Sequence, residues 1–169
     1  MRNFVNNLFM EYVNIIEQNI LSLQRFENFL KDNRQNIVFM CVGNSDVWYD
    51  CFGPIVGSLL KRKYNISNYV YGSIERDIRQ SNLNLYIDWI QKKHFDSQIV
   101  VIDAAVSKKS SNTGLVFKSG SIKCAYYSSD SKKIGDYSVM LPISESIDYV
   151  CVVEKAILLC DIITKYIKM

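Results

Sequence analysis

The sequence predicts an α/β fold, a three-layer α/β/α domain with a mixed, mostly parallel sheet, and three features predict it. Short apolar runs recur at Asn36–Val42, Tyr69–Tyr71 and Gln98–Ile102, and such runs bounded by Gly, Asn or Asp read as buried strands. Helix-period segments alternate with them, beginning at Pro54 and at Leu83, which is the rhythm of parallel strands joined by crossovers. The chain then closes on a strongly periodic helix, with Ile147, Val150, Cys151, Ala156, Leu158, Leu159, Ile162, Ile163 and Ile167 turned inward and Ser144 as its N-cap.

In chain order, residues 1–34 place Phe4, Val5, Leu8, Phe9, Tyr12, Val13, Ile16, Ile20, Leu21 and Leu23 at helical spacing. This predicts an N-terminal helical segment packing on the sheet. Asn and Glu residues interrupt it, so no apolar run is long enough for a bilayer span or an export signal, and the polar side does not suit anionic lipid. The strand Asn36–Val42 ends at Gly43-Asn44. A helix then starts at Gly53-Pro54, with Pro54 at its first position, where a missing N–H costs nothing. Lys61-Arg62-Lys63 closes that helix, opposing its dipole. After Tyr69–Tyr71 comes a helix over Leu83–Lys93 with Leu83, Tyr86, Ile87 and Ile90 on one face, and His94 reads as a favourable charge at its C-terminus. Beyond the strand ending at Ile102, Ser107–Gly114 reads as a loop in a position that often covers a site. Further strands are predicted at Leu115–Phe117, Ile122–Tyr127 and Tyr137–Leu141.

A chain of 169 residues, 49% apolar and with two prolines, suffices for one sizeable core, so a single domain over 1–169 is expected. The net charge of +3, with basic residues scattered, is weak for a nucleic-acid binder. Five cysteines without a Cys-x-x-Cys argue for a reducing compartment, with cysteine as a small core residue and no disulfide framework or zinc site. Cys51 lacks a neighbouring base and reads as a small residue in a tight loop.

The chemistry-bearing residues are two aspartates. Asp50 lies just past the carboxyl end of one strand and before the next helix, and Asp103 directly follows Ile99–Ile102. If the two strands are parallel, both acids reach one rim, where open α/β sheets bind ligands. Two close carboxylates share a proton, bind a cation or activate a water, each a route to hydrolysis. Taken singly, either acid reads as a cap or turn residue. Asp46 is expected to form a turn, while Asp136, after Gly135, is a third acid for the rim or a turn residue before the strand that starts at Tyr137.

Gly43-Asn44, Asp50 and Gly53-Pro54-Ile55-Val56-Gly57 resemble the first motif of the spore germination proteases, and more closely the small sporulation proteins of the YyaC type. Both groups are similar to the hydrogenase maturation endopeptidases. The resemblance continues through Tyr69-Val70-Tyr71-Gly72-Ser73, Val101-Ile102-Asp103-Ala104-Ala105 and Ile134-Gly135-Asp136, covering roughly Asn36 to Ser144. It implies a phosphorylase/hydrolase-like fold and a sporulation or germination peptidase in which Asp50 and Asp103 are the catalytic pair. Gly43 and Asn44 would shape the loop, and Gly53 would admit a close helix start. It implies a protein or peptide substrate such as small acid-soluble spore proteins, a cytoplasmic location in the spore or forespore, and no cofactor or metal; no nucleic acid and no membrane are expected from the charge and the N-terminal pattern above. A cation between the acids and a homo-oligomer stay open. The endopeptidases' nickel-recognising His has no counterpart, because the lone His94 precedes Asp103. The alternatives are a non-enzymatic sporulation protein that binds a partner through this fold, and a small-molecule hydrolase using the same acids.

Overall fold

The computed structural model describes residues 2–106, 114–123, 132–144 and 147–168. The long first helix, α1, runs Arg2–Asn33. It is followed by β1 (Ile37–Cys41), α2 (Phe52–Arg62), β2 (Tyr69–Tyr71), α3 (Leu83–Lys93) and β3 (Gln98–Val106). Then come β4 (Val116–Ser119), β5 (Ile122–Lys123), β6 (Lys133–Ile134), β7 (Tyr137–Ile143) and α4 (Tyr149–Ile167). Five strands make one sheet in the order β2-β1-β3-β7-β4, in which β4 alone runs antiparallel, while β5 and β6 form a small separate pair. The mixed, mostly parallel α/β architecture matches the expectation. Residues 107–113 of the loop predicted over Ser107–Gly114 and most of the strand predicted over 122–127 lie outside the described residues.

Parallel strands need both faces covered. On one face, Phe26 and Leu30 of α1, Phe52 and Val56 of α2 and Leu159 and Ile163 of α4 are fully buried against alternate strand residues such as Phe39 and Val100. On the other face, Ile87 and Ile90 of α3 cover Val38, Met40 and Val101. α1 docks near the β4 edge through rings: Phe26 lies 5.1 Å from both Phe117 and Tyr137, and Phe29 lies 5.0 Å from Tyr137. No helix among the described residues is long and apolar enough to cross a membrane.

Three local expectations are corrected. α2 begins at Phe52, so Pro54 is its third residue rather than its first, a place still inside the first turn where proline breaks no hydrogen bond. α4 is capped by Asp148, whose Oδ1 accepts from the Cys151 N–H at 2.8 Å, and not by Ser144. Asp148 is an equally good cap nearer the first helical residue, and Ile147 just before it is buried. β3 continues to Val106 because β7 pairs with it as far as Val106 opposite Ile143. Asp103 therefore lies within the strand rather than past its end.

Candidate functional site

The strand order determines where a site can form. From β1 the chain crosses through α2 to β2 on one side, whereas β3 has β7 on its other side, so the connections diverge between β1 and β3. A crevice opens at the carboxyl ends of strands at such a switch point. β1 pairs with β3 up to Cys41 opposite Ile102, and the Val42 N–H still donates to the Ile102 carbonyl at 2.8 Å. Asp103 is thus the first β3 residue that β1 no longer covers. Strand alternation places it on the face of Ile99 and Val101.

Asp50 approaches this rim from the β1–α2 loop, at the end of a 3-10 turn, Trp48–Asp50, that packs beside β3 and α4. Its N–H donates to the Val47 carbonyl at 2.9 Å, and its Oδ2 accepts the Asn44 N–H at 2.9 Å. The Asn44 side chain meanwhile accepts the Asp46 N–H at 3.0 Å, an Asx turn that tightens the loop. Gly43 has φ +140°, and a Cβ there would stand 2.0 Å from the Asp50 carbonyl oxygen. Only glycine lets the loop double back at that point. At Gly53 a Cβ would meet the Val42 carbonyl at 2.0 Å and the Ile102 carbonyl at 2.8 Å, so its absence lets α2 begin directly above the gap between β1 and β3.

The acids are electrostatically unequal. Burial pushes the Asp103 carboxyl well above the usual carboxylate range, the Asp50 charge pushes it further, and the Ala104 N–H at 2.8 Å opposes both only in part. Asp50 is raised by burial, held back by the Asn44 N–H, and raised again by Asp77. Asp50 and Asp103 are each half-buried as whole residues. An ionised Asp50 beside a protonated Asp103 is the arrangement these environments favour.

Asp77, which the sequence did not single out, braces the loop that carries Asp50. Its Oδ2 accepts from the Ser45 N–H at 2.9 Å and the Ser45 hydroxyl at 3.0 Å, while Arg79 grips both carboxylate oxygens at 2.9 and 2.7 Å. Burial alone would raise its pKa, but the hydrogen bonds from Arg79 and Ser45 outweigh that and hold it below the usual range. Arg79 also pairs with Asp46 at 3.3 Å. A signal was present: Asp77 follows the carboxyl end of β2 as Asp50 follows that of β1.

A family model described as "Protein of unknown function (DUF1256)" matches residues 9–166. The chain belongs to that family. It is also 27% identical over 104 residues to "Uncharacterized protein YyaC" of Bacillus subtilis (strain 168), a match covering 61% of this chain and 51% of that protein. The chain thus spans about half the length of that relative. No solved structure matches it. Membership places the YyaC-type resemblance on firm ground, and the matched range takes in Asp50, Asp77 and Asp103 alike.

Two other residues with expected roles stand apart from this crevice. Asp136 accepts the Ile99 N–H at 2.8 Å through Oδ2 and gives its own N–H to the Ile99 carbonyl at 2.8 Å. It shapes a loop at the amino end of β3, the rim opposite Asp103, because β7 is parallel to β3 and Asp136 precedes β7. His94 is not an exposed helix-end charge. It is buried, its Nε2 is 2.8 Å from the Tyr71 hydroxyl, and burial, with Lys93 adding, pushes its pKa down. Cys51 is buried with its thiol 3.0 Å from the Trp48 carbonyl, which fits a small loop-filling residue.

Proposed function

We propose that this chain is a sporulation- or germination-associated peptidase that hydrolyses peptide bonds with Asp50 and Asp103. The observation that carries the reading is the unequal pair at the switch point, a carboxyl driven toward its protonated form beside one with room to ionise. A water between them would give its proton to ionised Asp50 as its oxygen attacks the scissile carbonyl. Protonated Asp103 would polarise that carbonyl and then supply the proton the departing amine requires. The resemblance of Gly43-Asn44, Asp50, Gly53-Pro54 and Asp103 to the germination proteases supplies the substrate class, a protein or peptide, with small acid-soluble spore proteins as the first candidates.

The surroundings support a peptide over a small polar substrate. Trp48 and Tyr49 adjoin Asp50, are 45% and 49% exposed, and meet edge to face at 5.7 Å. Apolar side chains beside Asp50 suit residues flanking a scissile bond.

The test is incubation of the purified protein with small acid-soluble spore proteins and a peptide library, beside Asp50→Asn and Asp103→Asn variants, with products read by mass spectrometry. Cleavage by the native chain alone supports the reading. No cleavage by a folded native chain overturns it and favours a partner-binding protein. The exposed Ile16, Ile20 and Leu21 on α1 favour that second reading.

A further inference from the structure

Two consecutive backbone amides of the β1–α2 loop are held by two different acids. The Asn44 N–H donates to Asp50 and the next one, of Ser45, donates to Asp77, each at 2.9 Å. Asp77 belongs to the segment between β2 and α3, 32 residues away from Ser45 in sequence. It is itself pinned from several sides. Arg79 binds both its oxygens, and the Asn82 side chain donates to the Asp77 carbonyl at 3.1 Å while accepting the Arg79 N–H at 2.9 Å. Ile78, between them, bridges to Val42, and its carbonyl accepts the Gly43 N–H at 2.9 Å. The Asp77 segment therefore lies along the end of β1 as a rigid shelf, and the loop bearing Asp50 rests on it.

We propose that Asp77 is a positioning residue for the acid pair: by clamping Ser45 through its amide and hydroxyl, it aims the adjacent Asn44 N–H at Asp50 and fixes the carboxylate that shares the crevice with Asp103. The Asn44 N–H lies in the Gly43–Asn44 peptide plane; the plane before it is anchored by the Gly43 N–H on the Ile78 carbonyl and the plane after it by the Ser45 N–H on Asp77, so the rigid unit between them has little freedom to turn away from Asp50. The Arg79 fork supplies what such a clamp needs, since it keeps Asp77 ionised and leaves its Oδ2 oriented at Ser45. Asp77 also acts at a distance, its negative charge favouring the proton on Asp50. Asp77 touches no reacting atom in this scheme. It acts through Asp50, and its catalytic meaning rests on the peptidase reading.

The experiment is amide hydrogen exchange and a carboxyl titration by NMR on the native chain, Asp77→Ala and Asp77→Asn, with turnover measured alongside. In Asp77→Ala, exchange at Asn44 and Ser45 should accelerate about tenfold or more relative to Val101 in β3, as expected when a charge-assisted hydrogen bond is lost. Asp77→Asn keeps an oxygen for Ser45, so it should restore most of that protection, yet the Asp50 midpoint should fall because the neighbouring negative charge is gone. Unchanged Asn44 exchange in Asp77→Ala overturns the proposal. If that variant does not fold, Arg79→Ala, which removes the fork that orients Asp77 at Ser45, takes its place, and unchanged exchange at Asn44 and Ser45 there overturns it. The readouts separate the two claims: an inactive native chain whose Asn44 amide responds as described sinks the peptidase reading and leaves the clamp intact. An active chain in which Asp77→Ala keeps full kcat sinks the clamp's role in catalysis.

Discussion

The Asp50 charge reaches Asp103 at the carboxyl end of the sheet and strengthens its hold on its proton. A lone buried acid would also bind its proton tightly. The neighbour makes the tightness conditional, so the two titrate as a unit with apparent values that belong to the pair.

The pH–rate profile should therefore be bell-shaped. Activity needs Asp50 ionised and Asp103 protonated, so the acidic limb follows the raised Asp50 and the basic limb the further-raised Asp103. Both limbs should lie above the value of a free aspartate. Asp50→Asn or Asp103→Asn should lower kcat by about 100-fold or more. Steady-state kinetics across pH checks this, and a flat profile in the native chain would remove the pair from the mechanism.

Folding stability should carry the mark of the same proton. The folded Asp103 pKa is raised, so the folded state binds a proton that the unfolded chain has released at intermediate pH. The stabilisation is fully present below the unfolded value, near 4, and is lost as pH rises through the folded value, by about 1.4 kcal/mol for each pH unit between them. Asp103→Asn should flatten this dependence, as read from urea midpoints in a pH series.

His94 should produce the opposite slope. Its folded pKa is lowered, so its contribution is present above the unfolded value, about 6.5, and lost as pH falls through the folded value. His94→Phe should abolish a loss of stability on acidification while leaving the Asp103 dependence in place. The two variants resolve the two slopes, which overlap in the native protein.

Gly53→Ala should be costly out of proportion to one methyl group. Its Cβ would lie 2.0 Å from the Val42 carbonyl, a backbone atom that cannot swing away, so α2 must lift off the strand ends. A destabilisation of about 1–3 kcal/mol is expected, with reduced activity in the folded fraction because the β1–α2 loop moves with the helix. Chemical denaturation checks the first part, and a loss below about 0.5 kcal/mol would contradict the close approach.

Trp48→Ala should leave stability within about 0.5 kcal/mol, since the ring is 45% exposed. If Trp48 receives an apolar residue beside the scissile bond, KM should rise severalfold with kcat less affected. Equal loss in both would assign the ring to loop geometry instead.

The elements were legible where the signal is local. The apolar run Ile37–Cys41, the helix around Gly53-Pro54 though not its first residue, the basic end of α2 and the long periodic α4 each follow from neighbours a few residues away, and so does the placement of Asp50 beyond β1. Even there, competing caps moved the start of α4 from Ser144 to Asp148. What only the tertiary structure decided is which strands adjoin and what their ends meet. The order β2-β1-β3-β7-β4 brings Asp103 beside Asp50, leaves Asp136 at the opposite rim and sets Asp77 against Ser45. Those relations join residues tens of positions apart, and they are settled by the burial of both sheet faces at once. Periodicity along the chain specifies which face of each strand is apolar, but not which strand becomes its neighbour.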